Sequence, residues 1–145
     1  MMTQIELERP NLSKKIDIGK YLVSLWRHSS SIEGVYRYAG RKFLEEMLDE
    51  LFEEDGLFED FTEQKKRIKE ELQQYYYRPL PLKEISSFVQ DNPEYASMFY
   101  DDACSFANSN VKITHREKRF LDNLSRELRM LDLEKRIINR KYFIH

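Results

Sequence analysis

An all-α single domain of about seven helices, arranged as paired helical hairpins, is what this sequence predicts, and three observations carry that reading. Only four glycines and four prolines occur in 145 residues, where average usage of about 7% Gly and 5% Pro would give roughly seventeen, so an all-β chain would lack its turns. Apolar residues recur at three- and four-residue spacing, with no convincing alternating run. Nine Tyr, nine Phe and one Trp supply core material that a disordered chain lacks.

Residues 1–12, polar and containing Pro10, read as an N-terminal arm, and 13–145 as the domain. From Ser13 to about Arg27, Ile16, Ile18, Tyr21, Leu22, Leu25 and Trp26 fall at helical spacing, with Gly19 as a weak point. Ser31 is a cap candidate for a second helix reaching about Glu54, whose apolar residues include Phe43, Met47, Leu48, Leu51 and Phe52. Asp55-Gly56 ends it, and Asp60 or Thr62 can cap a third, with Phe61, Ile68, Leu72 and Tyr75 or Tyr76 as its buried stripe. Pro79 and Pro81 forbid continuation. A short helix follows, with Leu82, Ile85, Phe88 and Val89 on its apolar face. Asn92 then stands as N-cap before Pro93 for a fifth helix through Tyr95, Met98, Phe99, Ala103 and Phe106. Thr114 with Glu117 three residues on is a capping-box pattern, the clearest helix start in the chain. The last helix, roughly Leu131 to Tyr142, carries Leu133, Ile137 and Ile138 and reads as a terminal helix docked on the core.

Several function classes are excluded or disfavoured. With 24 Lys+Arg against 26 Asp+Glu, the net charge of −2 does not suit a general nucleic-acid coat. Cys104 is the one cysteine, so no internal disulfide forms and a reducing, cytoplasmic setting is expected. Flanked by Asp101 and Asp102, its thiol is expected to be an inert core group. The longest apolar stretch, Tyr21 to Trp26, is broken by Ser24 and followed by Arg27, which fits neither a signal peptide nor a membrane span. His28, His115 and His145 show no transition-metal spacing, and no phosphate loop or nucleophile elbow occurs.

Charge is segregated along the chain. Residues 1–42 carry 8 basic and 4 acidic side chains, 43–110 carry 6 and 17, and 111–145 carry 10 and 5. Within the acidic middle, Glu46, Glu50 and Glu53 or Glu54 share one helix face, where like charges repel unless neutralised. Most of these carboxylates read as a solvated face. A divalent cation, Ca²⁺ or Mg²⁺, is the sharper expectation, held by Glu46, Glu50, Asp55 and Asp101. The loop after Asp55 lacks the ligand pattern of an EF-hand. The metal-free alternative is an adaptor whose acidic helix meets a basic protein partner. The run Tyr75, Tyr76, Tyr77, Arg78 reads as a helix end packed on the proline loop. The basic tail, Lys135, Arg136, Arg140 and Lys141 beside Ile137 and Ile138, has a second reading as an amphipathic helix on an anionic membrane.

A weak internal repeat pairs positions 55 apart: Glu46 with Asp101, Leu48 with Ala103, Leu51 with Phe106 and Asp55 with Asn110. The stretch Ser105 to Leu128, with Thr114, Glu117, Phe120, Leu121 and Leu124, resembles the second signature of the tellurite-resistance TerB-like family, and Asp55-Gly56 stands where the family's first Asp-Gly stands. The likeness covers roughly residues 32–130. It departs at Asn110-Val111, where the second Asp-Gly is replaced. The resemblance implies a non-enzymatic helical domain that binds a divalent ion through acidic residues. It also implies a stress-response or adaptor role beside membrane-associated protein partners.

Overall fold

Helix α1, Gln4–Ser30, is the axis on which the other elements are laid, in a computed structural model that describes residues 4–30, 38–108, 113–142 and 144. It is followed by α2 (Tyr38–Glu50), α3 (Lys65–Tyr77), α4 (Leu82–Asp91), α5 (Ala96–Ala107), α6 (His115–Glu127) and α7 (Asp132–Lys141), with 3-10 turns at Glu59–Gln64 and Pro93–Tyr95. No strand occurs among the described residues. The all-α expectation and its count of seven helices hold.

Helix α1 packs against α3, α4 and α5, so its C-terminal half must be apolar on several sides. Leu12, Ile18, Leu22, Val23, Leu25 and Trp26 are all buried. Gly19 is the point of closest approach to α3: a Cβ there would stand 3.0 Å from Leu72 Cδ2. The residue expected to weaken the helix instead lets two helices meet. The expected arm at 1–12 is helical from Gln4, through Pro10, and Leu12 belongs to the core.

The serines of α1 fasten the proline loop. Ser24 is buried, donates to the Lys20 carbonyl at 2.8 Å and accepts the Leu80 N–H at 3.0 Å. His28 Nε2–H donates to the Leu80 carbonyl at 2.8 Å, so both backbone polar groups of Leu80 are satisfied by α1. His28 is therefore half-buried. Tyr76, fully buried, meets Ser30 Oγ through its hydroxyl at 2.9 Å, while Tyr77 remains exposed.

Several expected boundaries moved, each for a local reason. Helix α2 ends at Glu50, and its winding tightens through i→i+3 bonds from Leu51, Phe52 and Glu53. The chain then reverses over Asp55, at φ 65°, and Gly56, whose added Cβ would lie 2.5 Å from the Leu51 carbonyl oxygen. Neither Asp60 nor Thr62 caps α3, because a kink at Phe61 buries that ring and delays the helix to Lys65. Asn92 does not cap α5 either. Its amide turns back to the Phe88 carbonyl at 2.9 Å, closing the end of α4. The expected cap at Ser31 and the Asn110-Val111 turn lie outside the described residues.

The capping box of α6 is complete: the Glu117 N–H reaches Thr114 Oγ1 at 3.2 Å and the Thr114 N–H reaches Glu117 Oε1 at 2.9 Å. At its other end, the Met130 N–H bonds the Ser125 carbonyl and the Arg129 N–H the Arg126 carbonyl, both at 3.0 Å, with Arg129 at φ 55°. This is a Schellman cap with an arginine where glycine is favoured. Helix α7 buries only Ile138 of its three expected core residues; Leu133 and Ile137, four apart, face outward.

Two stability measurements check these turns. Arg129→Gly relieves the left-handed strain and raises unfolding free energy by about 0.5–1 kcal/mol. Removal of the Thr114 hydroxyl in Thr114→Ala lowers it by about 1 kcal/mol. Chemical denaturation at neutral pH reads both, and an unchanged or less stable Arg129→Gly protein sinks the strain argument.

Candidate functional site

The acidic helix α2 divides its carboxylates between two edges. On one edge Glu45 and Asp49 meet α3: Lys69 Nζ lies 2.7 Å from Asp49 Oδ1 and 3.0 Å from Glu45 Oε2, and Lys65 Nζ lies 3.3 Å from Asp49. The Lys69 hydrogen bond, helped by Lys65, holds the Asp49 carboxyl below its ordinary range. Burial works against the Lys69 ammonium, yet its bonds to Asp49 and Glu45 outweigh this and raise it. These charges are spent on joining α2 to α3.

The other edge is different. Glu46 and Glu50 are exposed, one turn apart, with Glu53 following in the tightened turn, and none of the three has an ion-pair partner among the described residues. Partial desolvation, then the charges of Glu53 and Glu46, push the Glu50 carboxyl up, against the pull of Lys141. The edge therefore stores repulsion that a cation or a basic group would relieve.

Next to it stands the pair Asp101–Asp102 on α5. Asp101 accepts from Lys141 Nζ at 3.1 and 3.2 Å and from the Tyr142 hydroxyl, so its oxygens hold down the end of α7. Burial first, then the Asp101 charge, push the Tyr142 hydroxyl up. Asp102, one residue on, turns the opposite way into the core, and its Oδ2 accepts the Trp26 indole N–H at 2.9 Å. Trp26 is fully buried and stacked on Phe106 at 5.1 Å between centroids. Desolvation pushes the Asp102 carboxyl up to about 7; the Trp26 bond opposes this, and Asp101 and Glu50 add to it.

Of the four expected cation ligands, Glu46 and Glu50 share an edge, and Asp101 lies on α5, its neighbour Asp102 within electrostatic reach of Glu50. Asp55 serves the turn: its backbone N–H donates to Glu59 Oε2 at 3.1 Å. Among the described residues no group of three or more His, Cys, Asp or Glu side chains is arranged to hold a metal ion. At the positions paired by the 55-residue offset, Leu48, Ala103, Leu51 and Phe106 are buried, while Glu46 is exposed and Asp101 is half-buried.

Sequence reasoning missed Asp102 and Trp26 as partners. A buried indole needs an acceptor, and consecutive aspartates on a helix point about 100° apart, so one of them had to face inward. Cys104 is buried, with its thiol pushed up to about 12 by burial, which leaves it unreactive. His115 is an exposed first-turn residue. Two open grooves lie elsewhere. One, about 520 Å³, runs between α2 and α3 along Glu45, Lys65, Lys66 and Lys69; the other, about 510 Å³, lies along α4 by Lys83, Ser87 and Gln90. No helix among the described residues is long and apolar enough to cross a membrane. No family model matches the chain, and neither a curated protein nor a solved structure matches it.

Asp102 makes stability depend on pH with a definite sign. The unfolded carboxyl releases its proton near the model value of 3.8, whereas the folded one keeps it up to about 7. The folded state thus binds more protons between those values, and its stability from this group is full below pH 4 and lost as pH rises through 7. In Asp102→Asn the amide oxygen still accepts from Trp26, so unfolding free energy loses this slope and exceeds the parent's at pH 8 by at least about 1 kcal/mol. Denaturant melts at pH 5 and pH 8 decide it; parallel pH dependence in both proteins would show that Asp102 is not the titrating group.

Proposed function

We propose that this chain is a non-enzymatic helical binding module whose acidic edge, Glu46, Glu50 and Glu53, engages a basic protein partner. The observation that supports the reading is the contrast between the two edges of α2. Glu45 and Asp49 are neutralised by Lys65 and Lys69, while Glu46, Glu50 and Glu53 are exposed and form no ion pair among the described residues. Carboxylates left crowded in this way favour a basic ligand through charge complementarity, which sets orientation and association rate more than raw affinity. Such a role agrees with the TerB-like resemblance, its cytoplasmic setting and its adaptor function in stress responses.

A divalent cation, Ca²⁺ or Mg²⁺, is the second reading, favoured by the raised proton affinity of Glu50 between Glu46 and Glu53. In that case Asp101 would have to exchange its Lys141 contact for the ion.

Thermal unfolding in the presence of a lysine-rich helical peptide, and separately of Ca²⁺ or Mg²⁺, tells the readings apart. For the adaptor, the peptide raises the midpoint, added salt weakens the effect, and Glu46→Gln with Glu50→Gln abolishes it while the ions do nothing. For the cation, the ion alone stabilises, by about 2.7 kcal/mol at a hundredfold excess over Kd, and Asp101→Asn removes the effect. A midpoint indifferent to peptide and ions overturns both.

A further inference from the structure

We propose that the solvent face of the α6–α7 hairpin is a docking surface for an anionic lipid bilayer. Helices α6 and α7 both pack on α5, and Lys135 ties them together through Asp122 at 2.9 Å. Helix α7 docks through Ile138, through Asn139, which accepts from the Tyr100 hydroxyl at 2.6 Å, and through Tyr142 on Asp101. These residues occupy one side of the helix. Leu133 and Ile137 project from the other side, 68% and 61% exposed, and Leu131 before them is 68% exposed. Single exposed aliphatics are ordinary, but Leu133 and Ile137, one turn apart on a ten-residue helix, with Leu131 exposed just before it, are an unpaired apolar surface.

The unpaired cations around this surface are arginines. Arg116, Arg119, Arg126, Arg129, Arg136 and Arg140 are all exposed, and none forms an ion pair among the described residues. Every ion pair described uses a lysine instead. Arg67 and Arg78, on and just after α3, are the other exposed arginines described. Arg136 and Arg140 are one turn apart, and their row runs beside that of Leu133 and Ile137. Of the carboxylates nearby, Asp122 holds Lys135 and Glu134 accepts from Ser97 at 3.2 Å, while Asp132 in the first turn of α7 and Glu127 at the end of α6 are exposed and outnumbered by the arginines. Lys141, bonded to Asp101, stands where this face meets the acidic edge.

Chemistry favours lipid over an acidic protein. Aliphatic side chains stand beside guanidinium groups on this face, and neither the groove along α2–α3 nor the one along α4 is lined by Leu131, Leu133 or Ile137. A protein partner would need a complementary trough, whereas a headgroup layer yields to a ridge, takes aliphatics below the phosphates and meets guanidinium groups at their level. The surface is separate from the acidic edge, so it stands whether or not that edge binds a partner.

The test is flotation of the full chain with vesicles of phosphatidylcholine alone or with a minority of phosphatidylserine. The parent protein floats with the phosphatidylserine vesicles, stays behind with phosphatidylcholine alone, and is released by salt. Arg136→Glu with Arg140→Glu, and separately Leu133→Ser with Ile137→Ser, each weaken flotation by about tenfold or more. All four side chains are exposed, so the thermal midpoints stay at the parent value. Should either pair unfold the protein, Arg136→Gln with Arg140→Gln carries the same comparison. Glu46→Gln with Glu50→Gln floats at least as well as the parent, which separates this surface from the acidic edge. No flotation with phosphatidylserine, flotation untouched by either pair, or binding to soluble polyglutamate in place of vesicles overturns the proposal.

Discussion

The buried indole of Trp26 is the contact on which the architecture turns. Its ring fills the space between α1 and α5 against Phe106, and its N–H, which water cannot reach there, is answered by Asp102. Once that bond fixes α5 on α1, the opposite side of α5 is free to receive α6 and α7. Asp101, Asp102 and Tyr100 then act as a switchboard: one carboxylate faces the indole, the other the end of α7, and the phenol meets Asn139. The arrangement places a carboxyl where burial opposes its charge, and the pH sensitivity of the fold follows from that position.

Lysine and arginine have separate tasks in this molecule. Lysines reach across helix pairs, from α3 to α2, from α7 to α6 and from α7 to α5, where a flexible stem and a compact ammonium suit a short bridge. Arginines stand outward on α6 and α7, where a weakly hydrated planar cation suits contact with something outside the chain. The acidic edge of α2 is the counterpart. On this helix Glu45 and Asp49 are matched by lysines, and Glu46 and Glu50 are left together on the other edge. Surface pairs of this sort contribute little to stability, so folding alone does not account for the segregation.

The helices were legible in the sequence wherever one residue pattern had one explanation. Thr114 and Glu117 gave the start of α6 because a capping box needs only local partners. Asn92 misled because an amide can satisfy a carbonyl behind it as readily as an N–H ahead of it, and the sequence does not say which. Gly19 looked like a defect because its reason, the nearness of Leu72, lies 53 positions away. At the candidate site, Glu46 and Glu50 were found by helical spacing alone. Asp102 was not, since its partner is in another helix, 76 positions away. Ile137 and Ile138 show the same limit: adjacent isoleucines point apart, and only the docking of α7 decides that Ile138 goes in.

The distance along the chain between Trp26 and Asp102, 76 residues, also sets an order of events during synthesis. The axial helix leaves the ribosome first, while its three partner helices are completed only at residue 107. At roughly 5–20 residues per second, the interval between making the indole and making its acceptor is on the order of 4–15 s. For that time Leu22, Leu25 and Trp26 have little to cover them, and a nascent chain in this state is a natural client for a holding chaperone. The molecule therefore closes from α5 back onto α1, and an interruption of translation before α5 leaves the Trp26 indole without its acceptor.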